Sequence, residues 1–158
     1  MAVDVFLKIN GIKGESKDSK HEGEIDVLSW SWGISNASDM SKGGGGGAGK
    51  ANFTDLNFIH SLDKASPVLM KACAMGDHFD EATLVARKAG KGQQDYLMIK
   101  MKEVFITNIH PSGSTEHPTE NVGMTFGHVT LDYKPQKADG SLDAAVQFIY
   151  DIKKQVDK

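Results

Sequence analysis

Apolar and polar residues alternate through most of the chain with a period of two, the spacing of strands whose side chains point to opposite faces. Val3, Val5, Leu7 and Ile9 alternate with Asp4, Phe6 and Lys8, which predicts a first strand with one apolar residue on its outer side. Over residues 24–35 the same period puts Leu28, Trp30, Trp32 and Ile34 on one face and Ser29, Ser31, Gly33 and Ser35 on the other. Such a strand turns a heavy apolar side to a core and a small polar side to water or a wet cavity. Further strands are predicted over 51–59, over 82–87 paired with 96–101 as a hairpin, over 104–106, and through Val146, Phe148, Tyr150 and Ile152. Between Thr119 and Tyr133 the phase changes: Val122, Met124 and Phe126 share one parity, Val129, Leu131 and Tyr133 the other. A one-residue slip at Gly127-His128 is the mark of a β-bulge that bends a long strand.

Only one stretch has helical spacing. Ser66 serves as N-cap, Pro67 takes the first position where its missing N–H costs nothing, and Gly76 closes the far end. Leu69, Ala72 and Cys73 form its short apolar stripe. Many short strands separated by Gly/Pro turns, with one short α-helix, predict a mainly β fold, an antiparallel β-barrel or sandwich. At 158 residues, with 39% hydrophobic and 25% charged residues, the chain is one globular domain spanning 1–158.

Charge and targeting narrow the function classes. A net charge of −3 gives no bulk attraction to nucleic acid or to an anionic membrane. No window reaches the ~18 apolar residues of a membrane span, so no membrane insertion is expected. The N-terminus has no basic segment followed by an apolar one, so a cytoplasmic protein is expected, with any export independent of a cleavable signal peptide.

Candidate chemistry is sparse. Gly44, Gly49 and Lys50 satisfy the spacing of a phosphate-binding loop, but Ala51 stands where a hydroxyl is needed, and neither flank supplies the required strand and helix. None of the histidines, His21, His60, His78, His110, His117 and His128, has zinc-ligand spacing. The one cluster, His110, Glu116, His117 and Glu120, lies in or beside one loop where solvated side chains are expected, as they are for Glu22 and Glu24 at a turn. Cys73, the single cysteine, reads as packed, and no nucleophile elbow occurs. No catalytic, cofactor or metal site is expected.

Taken in order, Val5-Phe6-Leu7-Lys8-Ile9, Gly14-Glu15-Ser16, Ile25 to Gly33 with its Ser-Trp-Ser-Trp-Gly, the glycine run ending in Lys50, Leu62 to Pro67, Ala86 to Gly90, Glu120-Asn121-Val122 and Val129 to Gly140 cover essentially the whole chain. In these segments the sequence resembles the haemolysin-coregulated protein (Hcp) family of bacterial type VI secretion systems. The resemblance implies a β-barrel with one helix that assembles into a hexameric ring. Rings stack into an inner tube that works with sheath, spike and baseplate proteins, is expelled from the cell, and holds small effector proteins in its lumen.

Two surfaces acquire expectations in that setting. With Trp30 and Trp32 in the core, Ser29, Ser31 and Gly33 would face outward and line the ring's lumen. The flexible loop at 38–50, with Met40, Lys42, Gly43, Gly44, Gly45, Gly46, Gly47 and Lys50, would contact the next ring or subunit and order on contact. The competing readings are a soluble β-barrel ligand-binding module using Trp30 and Trp32 as a platform and, more weakly, a nucleotide-dependent enzyme using the glycine loop.

Overall fold

In a computed structural model, which describes residues 2–37, 49–89 and 92–158, the elements run in the order β1 (Val3–Ile9), β2 (Ile25–Val27), β3 (Ser29–Ser31), β4 (Ile34–Asn36), β5 (Ala51–Phe53), β6 (Leu56–Ser61), α1 (Ser66–Met75), β7 (His78–Lys88), β8 (Asp95–Ser112), β9 (Thr119–Thr125), β10 (His128–Tyr133) and β11 (Val146–Asp151). The main sheet is antiparallel, in the order β2-β1-β7-β8-β9-β6-β3. Its two edge strands, β2 and β3, are consecutive in the chain, so the connection between them closes the sheet into a barrel.

That closure happens at Leu28. Val27 pairs with Val5 of β1, while Ser29 pairs with Ile59 of β6. At the corner, the Leu28 N–H donates to the Ile59 carbonyl at 2.8 Å. The predicted continuous strand over 24–35 is therefore three short strands with three different partners. The switch also breaks the predicted face. Trp30 and Trp32 pack against the core, but Leu28 is 62% exposed at the corner and Ile34 is 47% exposed on β4. Residues 51–59 likewise divide: β5 pairs only with β4 in a separate two-stranded sheet, and β6 belongs to the barrel.

β8 is an 18-residue strand that continues through the predicted 104–106 segment. One of its edges pairs with β7; the other pairs first with β10 and then with β9. β9 and β10 are one strand bent at Phe126-Gly127, at the slip expected from the change of phase. β11 pairs with the far edge of β10. Inside the barrel, Leu7, Ile25, Leu56, Phe58, Leu84, Ile99, Met101, Ile106 and Met124 are fully buried, each contributing about 1.5–3 kcal/mol by leaving water. α1 lays Leu69 and Ala72 into this core beside β8. Gly76 ends the helix at φ 71°, a left-handed conformation that glycine adopts without strain.

The helix start differs from expectation. Ser66 is the first helical residue, with Ala65 at the cap position. The Ser66 hydroxyl accepts from the Asp63 N–H at 3.1 Å, and the Asp63 carboxylate accepts from the Ala65 N–H at 2.8 Å. The aspartate three residues earlier thus shapes the entry.

Candidate functional site

The barrel wall formed by β3, β6, β9 and the second half of β8 has an outer face with an unusual composition. Because Leu56, Phe58, Val122, Met124, Ile106 and Ile109 point to the core, alternation directs their neighbours outward. One cross-strand row runs Ser31, Asn57, Gly123, Asn108. The next runs Ser29, Ile59, Asn121, His110, and a third Ser61, Thr119, Ser112. No Lys, Arg, Asp or Glu stands in these rows, although such residues make up 25% of the chain. Asp55 marks the rim, where its carboxylate accepts from the Thr107 hydroxyl at 2.7 Å.

The face is also smooth. A β-bulge between Ile106 and Asn108 brings Thr107 and Asn108 against Gly123. A Cβ at position 123 would collide with the Asn108 amide. Glycine lets that amide lie over the neighbouring strand. The rest of the barrel exterior differs, carrying Asp4, Lys8, Glu81, Lys100, Lys102 and Asp132 on β1, β7, β8 and β10.

Ser29 and Ser31 are exposed on the uncharged face. Gly33 lies beyond the end of β3, at the root of the β4–β5 hairpin. Its N–H donates to the Thr54 hydroxyl at 2.9 Å and its carbonyl accepts the Thr54 N–H at 2.9 Å. The root is pinned by aromatic packing. The Trp32 ring lies 6.1 Å from Phe53 and 6.0 Å from Phe126, and Phe53 lies 5.1 Å from Tyr150. Lys50 is exposed at the start of β5. Met40, Lys42, Gly43, Gly44, Gly45, Gly46 and Gly47 lie outside the described residues. Trp30 and Trp32 are half-buried against the core, so neither offers the free ring that a ligand platform needs.

Two buried polar clusters support these surfaces. His60 of β6 and Glu120 of β9 face each other across the ladder, both wholly buried, with Nε2 and Oε1 2.9 Å apart. His60 Nδ1 makes no hydrogen bond; the Asp63 carboxylate is 3.8 Å away. Burial alone would push the His60 pKa down, but the Asp63 and Glu120 carboxylates outweigh it and raise it above the ordinary histidine value. Glu120 is therefore not the solvated turn carboxylate expected from sequence.

The second cluster holds residues 10–24, the segment between β1 and β2, as a strap over β1 and β7. Arg87, 2% exposed, donates to both Asp18 oxygens at 2.9 and 2.6 Å and to Asp4 at 3.2 Å. The Arg87 guanidinium holds the Asp18 carboxyl well below the usual carboxylate range. Arg87 also lies 4.9 Å over the Phe6 ring, whose other neighbour is the stacked His21 at 4.3 Å. This cover buries Phe6, the apolar residue on the outer side of β1.

Among the described residues, no three His, Cys, Asp or Glu side chains converge to hold a metal. The distinctive features of this closed antiparallel barrel are its uncharged wall and its pinned hairpin. The family described as "Type VI secretion system effector, Hcp" matches residues 6–133. Protein hcp1 of Pseudomonas aeruginosa is 49% identical over 160 residues, covering 99% of both chains. The crystal structure of Hcp1 from Salmonella typhimurium is 39% identical, covers 100% of both chains, and superposes with a TM-score of 0.83. A solved "type six secretion system protein" is 26% identical, covers 99% of this chain and 100% of its own, and reaches a TM-score of 0.93. The chain belongs to the Hcp family, and is thus a structural, secreted protein of the type VI secretion system and not an enzyme.

Proposed function

We propose that the chain forms hexameric rings that stack into the inner tube of a type VI secretion system, and that the face built from β3, β6, β9 and the second half of β8 lines the lumen. The observation that carries the reading is the composition of that face: three rows of Ser, Thr, Asn and Gly, with Ile59 and His110 among them and no Lys, Arg, Asp or Glu. A cargo protein there finds hydrogen-bonding groups but no strong ionic anchor, so it is held weakly and released. The charged exterior suits contact with water or sheath.

Within this reading the β4–β5 hairpin reaches the adjacent ring or subunit. Among the described residues its strands pair only with each other, and it is held at its root by Trp32, Phe53 and Thr54. Partners are other copies of the chain, the sheath, spike and baseplate proteins, and effectors in the lumen. The protein resides in the cytoplasm until the tube carries it out.

Light scattering with negative-stain imaging tests the ring: a mass near six chains and annular particles are expected, and a 17 kDa monomer at high concentration argues against it. Ser31→Gln tests the lumen. The ring persists and co-purification of a lumenal effector drops; unchanged co-purification overturns the lumenal placement. Deleting residues 43–47 spares the ring and impairs tube growth, and equal polymerisation refutes the hairpin's role.

A further inference from the structure

Asparagine followed by glycine is a reactive pair, because a backbone nitrogen with no side chain beside it reaches the asparagine amide carbon easily. Of the asparagines in the chain, only Asn10 precedes a glycine. Asn36, Asn52, Asn57, Asn108 and Asn121 lie in β4, β5, β6, β8 and β9, and each precedes a residue with a side chain. The structure leaves the Asn10-Gly11 pair open. Both residues are exposed in the turn that follows β1. The Ile12 N–H donates to the Ile9 carbonyl at 3.0 Å, which closes the turn, and the Asn10 N–H donates to the Glu81 carbonyl at 3.0 Å. Gly11 takes φ 89°, where glycine is unstrained, and a Cβ there would meet no atom within 4 Å. Among the described residues, the Gly11 N–H has no hydrogen-bond acceptor.

We infer that Asn10-Gly11 is a self-modifying site that converts to an isoaspartyl linkage. The Gly11 nitrogen gives up its proton to solvent and bonds to Asn10 Cγ. The bond from Cγ to the side-chain nitrogen breaks, and that nitrogen takes a proton and leaves as ammonia. Water then opens the five-membered imide. Breaking its bond from Cγ to the Gly11 nitrogen leaves aspartate; breaking the bond from the Asn10 backbone carbonyl carbon leaves isoaspartate, with the main chain running through Cγ. The sum consumes water and releases ammonia, and nothing is oxidised or reduced. The Asp139-Gly140 turn offers the same neighbour but a poorer electrophile: its carboxylate accepts from the Ser141 N–H at 2.9 Å and the Ser141 hydroxyl at 2.6 Å.

The position gives the reaction a mechanical consequence. Either product sets a new carboxylate in a cleft lined by Lys8, Lys13, Lys20, Glu22 and Glu24. Isoaspartate also adds a carbon to the main chain just before Ile12, which is buried. Beyond Ile12 the strap is seated closely: the Gly14 N–H donates to the Gly23 carbonyl at 2.7 Å, and the Ser16 N–H to the Glu24 carbonyl at 2.9 Å. A longer main chain at its first residue pushes that seat out of register and loosens the strap. Each copy thus carries a one-way mark of the time since its synthesis.

The test holds the full-length protein at pH 8.5 and 37 °C in oxygen-18 water, with samples over several weeks digested by trypsin and mapped by mass spectrometry. Cleavage after Lys8 and Lys13 isolates the peptide Ile9–Lys13. It should convert at least tenfold faster than the peptides carrying the strand asparagines, take up the oxygen label, and yield two products with isoaspartate in excess. A rate no faster than that of the strand asparagines overturns the site, and aspartate as the sole product overturns the imide route. Asn10→Asp carries the new charge without the added carbon. Amide exchange over residues 12–16 should be several-fold faster in the converted protein and unchanged in Asn10→Asp. Unchanged exchange in the converted protein overturns the loosening of the strap, and equal quickening in Asn10→Asp overturns the role of the added carbon.

Discussion

Replacing His60 with leucine tests the buried pair that joins β6 to β9. The substitution strands Glu120 where its side chain has no exposure: Oε1 loses its 2.9 Å partner, and Oε2 already has none. Removing one member of a buried ion pair costs about 3–5 kcal/mol, a large share of the about 5–15 kcal/mol that holds a domain together. Urea unfolding followed by tryptophan fluorescence reads this directly, because Trp30 sits across the ladder from Phe58, two residues from His60. With a denaturant slope of about 2 kcal/mol per molar, the midpoint should fall by about 2 M at equal protomer concentration, which must be fixed because assembly adds stability. Changing both residues to leucine should recover most of the loss, since an apolar pair leaves no charge unpaired. The pH profile adds a sign. The folded-state value of His60 is raised above the ordinary 6.5. Its stabilisation is therefore complete below pH 6.5 and fades as pH rises through the folded value. Wild type should lose stability on going from pH 6.5 to 9, and His60→Leu should not show that component. A single variant with an unmoved midpoint, or a wild-type stability that climbs over this interval, refutes the argument.

Arg87→Ala should free the strap, so trypsin should cut after Lys13, Lys17 and Lys20 several-fold faster than in wild type; equal protection would place the anchor elsewhere. Because Arg87 depresses the Asp18 carboxyl, the latch is intact above about pH 4 and is lost only as pH falls through the lowered folded value. Amide-exchange protection over residues 10–24 should decline between pH 4 and pH 2 without being lost, because the lowered folded value keeps the Asp18 carboxylate paired into strong acid. Gly14→Ala drives a methyl to 2.5 Å from the Glu24 carbonyl oxygen, a backbone clash that should cost about 1–3 kcal/mol in a thermal melt. Trp32→Ala should loosen the hairpin root: amide exchange in β4 and β5 should quicken while β7 and β8 remain unchanged.

Period-two alternation identified β1, the β7–β8 hairpin, β11 and the bend between β9 and β10, because each has one face in the core and that face decides the pattern. It failed at Leu28 because alternation reports facing, not partnership. Leu28 continues the parity of Trp30, yet the chain there leaves β1 for β6, and a change of partner leaves no periodic trace. Glu120 reads as a surface group from its place beside a loop, yet it shares parity with Val122 and Met124, as His60 does with Leu56 and Phe58, and that shared parity is the signal that pairs two inward polar residues on different strands. The burial of Arg87 had no such signal, since it depends on a strap without regular structure. The serines of β3 were visible in the sequence as a polar face. That the face continues uncharged across β6, β9 and β8 became clear only once the strand order set those residues side by side.

β8 is paired along both edges, with β7 on one and with β10 and then β9 on the other, so it lies inside the sheet along most of its length. Its amides should exchange with solvent deuterium only by whole-molecule unfolding. Among the described residues β4 and β5 have only each other, and a two-stranded pair is marginal by itself; their amides should exchange orders of magnitude sooner. The chain thus divides into a slow body and a fast appendage. In an assembled tube the difference becomes diagnostic, since any slowing of β4 and β5 measures how far a neighbour has completed a sheet that one copy leaves unfinished.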